Sequence, residues 1–171
     1  DQQDGWSVRI FDQTKLPWAL EILRLTDVAQ AAHAIRAMQV RGAPLIGVTA
    51  AYGIWLALRA DASDDALTAA YAALFGARPT AINLKWALDE MSAAVRNQPR
   101  DQRAVIALKR ADEIAEHDVA INRGIAAHGL KLIEDIGARK KGARVNVLTH
   151  CNAGWLAAVD IGTATAPIYA A

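Results

Sequence analysis

The sequence predicts an α/β chain: a mainly helical N-terminal domain with a small β-hairpin, then the first βα unit of a parallel sheet whose remainder is missing. Three observations point there. Apolar residues recur at helical spacing through most of residues 27–136. Two short β-type runs precede them. After residue 144 the pattern changes to one β-branched run, Val145-Asn146-Val147-Leu148-Thr149, followed by a tight turn of small residues. The chain's 171 residues suffice for one core-bearing domain and are short for two.

The elements follow in order. Residues 7–12 and 19–25 read as an antiparallel hairpin, with Val8 and Ile10 alternating in the first strand and Gln13-Thr14-Lys15-Leu16-Pro17 in the connection. Asp27 is a good N-cap for a helix whose Val28, Ala31, Ala32, Ile35 and Met38 form one apolar stripe. Arg41-Gly42-Ala43 interrupts it. Pro44 then opens a long apolar helix to about residue 60, because the first helical position needs no amide donor. Further helices are expected over 64–75, ended by Gly76, over 81–96, and over 101–136, with Gly124 and Gly129 as weak points. Residues 138–144 are basic and glycine-containing and read as a linker, so the expected division is domain 1–137, linker 138–144, and residues 145–171 as the start of an α/β domain. A strand at 145–149 needs neighbours that this sequence does not supply, since unpaired backbone groups are costly when buried. The expectation is therefore of an incomplete functional unit.

Composition narrows the function classes. Hydrophobic residues at 53% against 22% charged exclude disorder. A net charge of +1, from 19 basic and 18 acidic residues, gives no platform for nucleic acid. The single cysteine, Cys151, excludes an intramolecular disulfide framework and a multi-cysteine zinc site, and suits a reducing compartment. No secretory pattern opens the sequence. The uncharged run 42–58 contains Pro44, Gly47 and Gly53 and reads as a core helix, not a membrane span. A cytoplasmic protein without membrane, metal or cofactor is expected. Charge is unevenly spread: from Val145 to Ala171 only Asp160 is charged, so that tail is expected to be buried.

Three helix starts carry the chemical signals. Helix N-termini present free amides and partial positive charge, and an adjacent Arg adds a bidentate partner for phosphate. Arg41-Gly42-Ala43-Pro44 and Arg78-Pro79-Thr80 both have this form, and Gly42 and Ala43 leave room for a ligand to approach the backbone. The plainer reading makes Arg41 and Arg78 surface residues beside ordinary proline-led helices. The third start is Thr149-His150-Cys151-Asn152-Ala153-Gly154, where a thiol at the carboxyl end of a strand and before a helix would be activated. Its plainer reading is a small buried apolar residue. His117 and His128 share a helix face roughly 16 Å apart, too far for one metal ion.

Four ordered motifs, Phe11-Asp12-Gln13-Thr14-Lys15-Leu16-Pro17, Val40-Arg41-Gly42-Ala43-Pro44-Leu45-Ile46-Gly47 with Ala50-Ala51-Tyr52-Gly53, Arg78-Pro79-Thr80-Ala81-Ile82-Asn83-Leu84, and Leu148-Thr149-His150-Cys151-Asn152-Ala153-Gly154 followed by Gly162-Thr163-Ala164, span nearly the whole chain. Together they resemble the family of methylthioribose-1-phosphate isomerase, which includes ribose-1,5-bisphosphate isomerase and regulatory subunits of the translation initiation exchange factor. The resemblance implies a Rossmann-like second domain, a cytoplasmic homodimer and a sugar-phosphate substrate with no cofactor. It also implies substrate binding by Arg41, Gly42, Ala43 and Arg78, and assistance to catalysis by Cys151. The family's Asp proton donor, a Gln and an Asn-Lys pair would lie beyond Ala171, and Asp160 does not match that Asp. Ile161 stands where the family pattern has an aromatic. The alternatives are a non-catalytic regulatory or sugar-phosphate-binding subunit, and the bisphosphate isomerase.

Overall fold

A computed structural model describes residues 4–171. Strands β1 (Val8–Phe11) and β2 (Ile22–Leu25) form an antiparallel pair with Val8 opposite Leu25 and Ile10 opposite Leu23. Alternation places Ile10 and Leu25 on the helical core, while Phe11 and Ile22 face outward. Five helices follow: α1 (Val28–Arg36), α2 (Ala43–Ala60), α3 (Asp64–Phe75), α4 (Ile82–Val95) and α5 (Arg100–Arg139). Asp27 caps α1 by accepting from the Gln30 amide at 2.8 Å, and Ser63 caps α3 through Ala66 at 3.1 Å. The expected stripe of α1 ends early. Met38 lies beyond the helix in a left-handed conformation and is exposed, because the chain turns there to lead into α2.

Helix α2 is the centre of the body, packed by α1, α3, α4 and α5. Its apolar length would suffice to cross a membrane, yet Ile46, Val48, Ile54, Leu56 and Leu58 are all buried inside this fold, as in a core helix. Leu74, Leu84, Leu88, Met91 and Val95 complete the core around it. Helix α5 is continuous for 40 residues, so neither Gly124 nor Gly129 breaks it. Gly129 has another use: a Cβ there would meet the Pro167 ring at 2.3 Å, and this is where α6 (Ala166–Ala170) rests on α5.

Residues 143–171 depart from expectation. The strand expected over 145–149 does not form, because among the described residues no strand runs beside it and a lone β-branched run has no ladder to join. The helix expected from Trp155 is a single 3-10 turn, Trp155–Ala157, and the helical structure resumes only at α6, which begins around Pro167. The architecture described is thus mostly helical with one two-stranded antiparallel sheet. The charge-poor tail is half buried at most. Ala157, Ala158 and Ala166 are inside, whereas Leu148 is 97% exposed and Val147, Trp155 and Tyr169 also reach solvent.

Candidate functional site

Two close contacts join the start of α2 to the start of α4 and to the 3-10 turn at Trp155–Ala157. A Cβ on Gly47, one turn into α2, would lie 2.9 Å from the carbonyl oxygen of Asn83 in the first turn of α4. The backbones of the two helices therefore touch at their beginnings. At their other ends a single side chain joins them: the Arg103 guanidinium donates to the carbonyls of Ala62, just past α2, and of Arg96 and Gln98, just past α4. The helices consequently run parallel, with both positive ends on one side of the molecule. The second contact is at Gly42. A Cβ there would lie 2.4 Å from the Ala157 Cα, and its φ of +108° favours glycine independently. The 3-10 turn after Gly154 thus sits directly on the N-cap of α2.

The starts of α2 and α4 are electrically open. Neither has a side-chain cap and neither has an acidic residue in its first turn, whereas α1 and α3 carry Asp27 and Ser63 as caps and α3 adds Asp64 and Asp65. Their free amides and dipole ends lack the compensation found on α1 and α3. Arg41 and Ala43 are exposed at the α2 start, Gly42 is half-buried, and Arg78 is half-buried before α4, where its carbonyl accepts from Ala81. Cys151 is a free, exposed thiol with φ of +78°, a conformation uncommon for a residue with a side chain. It lies in an irregular turn. The full helix expected behind it is replaced by one short turn, so the thiol is presented without a strand below it or a long helix after it.

Side chains outside the expected set fasten this region. Gln13, 4% exposed, donates from its amide nitrogen to the Leu156 carbonyl at 2.6 Å, and its backbone amide donates to the Gln39 carbonyl at 2.9 Å. Asp12 accepts from the Thr14 hydroxyl and amide and from the Gln39 side chain. The Thr14 hydroxyl bond holds its carboxyl below the usual value, opposing the upward push of burial. On α5, Asp118 accepts from the Val159 amide at 2.9 Å and from the Asn122 side chain at 3.1 Å. Tyr52 joins α2 to α5 by donating to Asp112 at 2.7 Å, and burial together with that carboxylate raises its pKa. Beside the α2 start an apolar cleft of about 400 Å³ lies between the hairpin and the tail, lined by Phe11, Ile22, Val40, Leu45 and Trp155. Phe11 and Trp155 meet edge-on there, with centroids 5.7 Å apart. Arg41, Arg78 and Cys151 do not line this cleft. Among the described residues no cluster of three or more His, Cys, Asp or Glu side chains gathers for a metal ion.

Comparison with known proteins gives this geometry its context. The model of the initiation factor 2 subunit family matches residues 39–171, which include all three helix starts. The chain belongs to that family. Within it, the chain is 60% identical over 172 aligned residues to methylthioribose-1-phosphate isomerase of Acidiphilium cryptum, covering 100% of this chain and 46% of that protein. It is 57% identical to the isomerase of Methylorubrum extorquens, covering 99% of this chain and 46% of that one. Among solved structures, 5-methylthioribose 1-phosphate isomerase from Pyrococcus horikoshii superposes with a TM-score of 0.81 at 32% identity, over 96% of this chain and 47% of that chain. The delta subunit of translation initiation factor eIF-2B from A. fulgidus gives 0.79 at 34% identity, over 95% and 47%. The chain spans about half the length of the relatives it matches and corresponds to their N-terminal portion.

The family fold therefore brings together Gly42 and the residues around Gly154, and places the α4 start beside that of α2. The sequence marks the starts of α2 and α4 one by one and carries no signal for their contact at Gly47 and Asn83, nor for that of Gly42 with Ala157. Sequence reasoning also missed Arg103 and Asp118. Arg103 carried a legible sign: it falls on the buried stripe of α5 with Ala107, Ala111 and Ile114, where an unpaired cation would be prohibitive.

Proposed function

We propose that this chain is the N-terminal half of a cytoplasmic, homodimeric isomerase that converts 5-methylthioribose 1-phosphate to 5-methylthioribulose 1-phosphate in methionine salvage. The observation that carries this reading is 55–60% identity over essentially the whole chain to proteins named methylthioribose-1-phosphate isomerase. The open starts of α2 and α4 support it, because a sugar phosphate needs a fixed anchor for its anion. In this reading Arg41, Gly42, Ala43 and Arg78 hold the phosphate, the Arg side chains by charge-assisted hydrogen bonds and the glycine by leaving the amides accessible. A Rossmann-like parallel sheet follows residue 145 in the complete protein and gives the 145–149 run its missing neighbours.

The chemistry explains the demand for such a site. The anomeric carbon of the substrate is esterified, so no free aldehyde is at hand. A general acid must deliver a proton to the ring oxygen as its bond to C1 opens. Hydrogen then moves from C2 to C1, as a proton through an enolate-like state or as hydride, and the C2 hydroxyl loses its proton to become the ketone. In this reading Cys151 acts beside C1 and C2 as base or transition-state stabiliser, with the phosphate anchor aligning the sugar.

The two structural neighbours fit almost equally well, one an isomerase and the other an initiation-factor subunit, so a non-catalytic sugar-phosphate binder is the reading to test against. The decisive assay is turnover of 5-methylthioribose 1-phosphate by the full-length gene product. Turnover is expected, with Cys151→Ala slowing it by about 100-fold or more. Binding without turnover supports the regulatory subunit, and turnover of ribose 1,5-bisphosphate alone supports the bisphosphate isomerase. Normal turnover by Cys151→Ala would remove that residue from the chemistry. Residues 1–171 alone are expected to be inactive.

A further inference from the structure

The motif Phe11-Asp12-Gln13-Thr14 has no part in the chemistry above, yet its Gln13 is almost wholly buried and bonded at two distant points of the chain. Its amide nitrogen donates to Leu156, one residue past the start of the 3-10 turn, at 2.6 Å. Its backbone amide donates to Gln39, two residues before Arg41, at 2.9 Å. We infer that Gln13 is a positioning residue of the site: it sets the tail carrying Cys151 against the Arg41-Gly42-Ala43 start of α2.

Three observations support the inference. The Leu156 carbonyl belongs to the same turn as Ala157, whose backbone presses on Gly42, so the Gln13 bond acts beside the contact that joins the two starts. Apart from the Gly42 and Phe11 contacts of the turn itself, the tail's other anchors lie downstream, where Asp118 takes the Val159 amide and α6 rests on α5. Residues 143–150 have no regular structure, and the turn is a single one stabilised by its own bond from Ala157 to Gly154. Gln13 is itself prevented from yielding. Asp12 beside it is 3% exposed and fixed by Thr14 and Gln39, so the amide is presented from a braced loop. On the opposite side Asp118 of α5 takes the Val159 amide, so the 155–159 segment is gripped from the hairpin and from α5 at positions three residues apart. Neither side chain need touch a ligand. Each fixes backbone near a segment that does.

This role deepens the isomerase reading and rests on it for its kinetic consequence, while the clamp itself can be tested without activity. In the full-length protein, Gln13→Leu removes the donor at similar size. Hydrogen exchange of the amides at 157–159 is expected to accelerate about 5- to 10-fold, the size of one lost hydrogen bond, while amides in the cores of α2 and α4 keep their rates. Unchanged exchange at 157–159, or an equal rise across α2 and α4, overturns the positioning role. In the full-length isomerase the same variant is expected to lower kcat about 10-fold or more and leave KM within about threefold, because the phosphate anchors stay on α2 and α4. A rise in KM that accounts for the whole loss overturns it. Asp118→Ala releases the segment from the other side without altering the hairpin, and is expected to give the same split between kcat and KM; unchanged kcat in that folded variant overturns the two-sided clamp. A wild-type protein that does not turn over the substrate refutes the isomerase reading instead, and the exchange measurement still decides the clamp.

Discussion

The two ends of the α2 and α4 pair are built on opposite rules. At the carboxyl end, the partial negative charge and free carbonyls of both helices meet a permanent cation inside the protein: Arg103, 5% exposed, donates to Ala62, Arg96 and Gln98 and pairs with Asp64 at 2.8 Å. Every demand there is met by the chain. At the amino end the same two helices have no cap, no acidic residue and no internal counter-charge, and small residues let backbones touch. The pair is closed by the chain at its carboxyl end and left electrically open at its amino end. The proposed function seats a sugar phosphate at this open end, and groups kept for a ligand are held at some cost in stability.

The largest effect should come from breaking the closed end. Arg103→Met leaves three carbonyls without their donor in a tightly packed place and is expected to cost about 3 kcal/mol or more of unfolding free energy, read from a denaturant midpoint in the 171-residue chain. Anion binding by the folded full-length variant should be unchanged. If affinity falls as well, the two ends are not separable.

Breaking the open end should give the converse. Arg41→Ala or Arg78→Ala is expected to weaken sugar-phosphate binding about 30- to 100-fold in the full-length protein, the effect of losing a charge-assisted contact. Unfolding free energy should stay within about 0.5 kcal/mol, because neither residue is buried. A titration with sugar phosphate and a denaturation curve on the same variant check both halves. Gly47→Ala couples the two properties. Its new Cβ meets the Asn83 carbonyl, a backbone atom that cannot swing aside, so α2 and α4 must part at their starts. A loss of about 1–2 kcal/mol is expected together with weaker anion binding. Loss of stability with intact binding would mean that the spacing of the two starts does not matter to the ligand.

This contrast also explains what could be read from the sequence. Local chemistry was legible: Asp27 as a cap, Pro44 at a helix start and the bounds of α3 depend on neighbours within a few residues, and the hairpin strands pair across one short connection. The starts of α2 and α4 were visible for the same reason, since Arg, Gly and Pro stand together in the chain. What needed distant partners was not. Val145 to Thr149 looks like a strand, but strand formation belongs to a pair, and none is beside it among the described residues. Gly129 looks like a helix break until Pro167 is seen against it. Gln13 is defined by the Leu156 carbonyl far along the chain, and the place of Arg103 on the buried stripe of α5 does not reveal its distant partner Ala62, because nothing local marks a carbonyl as unsatisfied.

The smallest change is also the sharpest, because it converts the open end toward the rule of the closed one. Ala81 is the N-cap residue of α4, with φ −82° and ψ 107°, the extended conformation that capping side chains use, and its side chain supplies no cap. Ala81→Asp is expected to accept from an amide of the first turn and add about 1 kcal/mol to the unfolding free energy of the 171-residue chain, as Asp27 and Ser63 do for α1 and α3. The same carboxylate occupies an amide and places negative charge beside Arg78, so sugar-phosphate affinity in the full-length protein should fall. Gain of stability with loss of affinity is what an end kept open for an anion requires. If the cap stabilises the chain and binding is undisturbed, the missing cap on α4 is incidental and the anchoring rests on α2 alone.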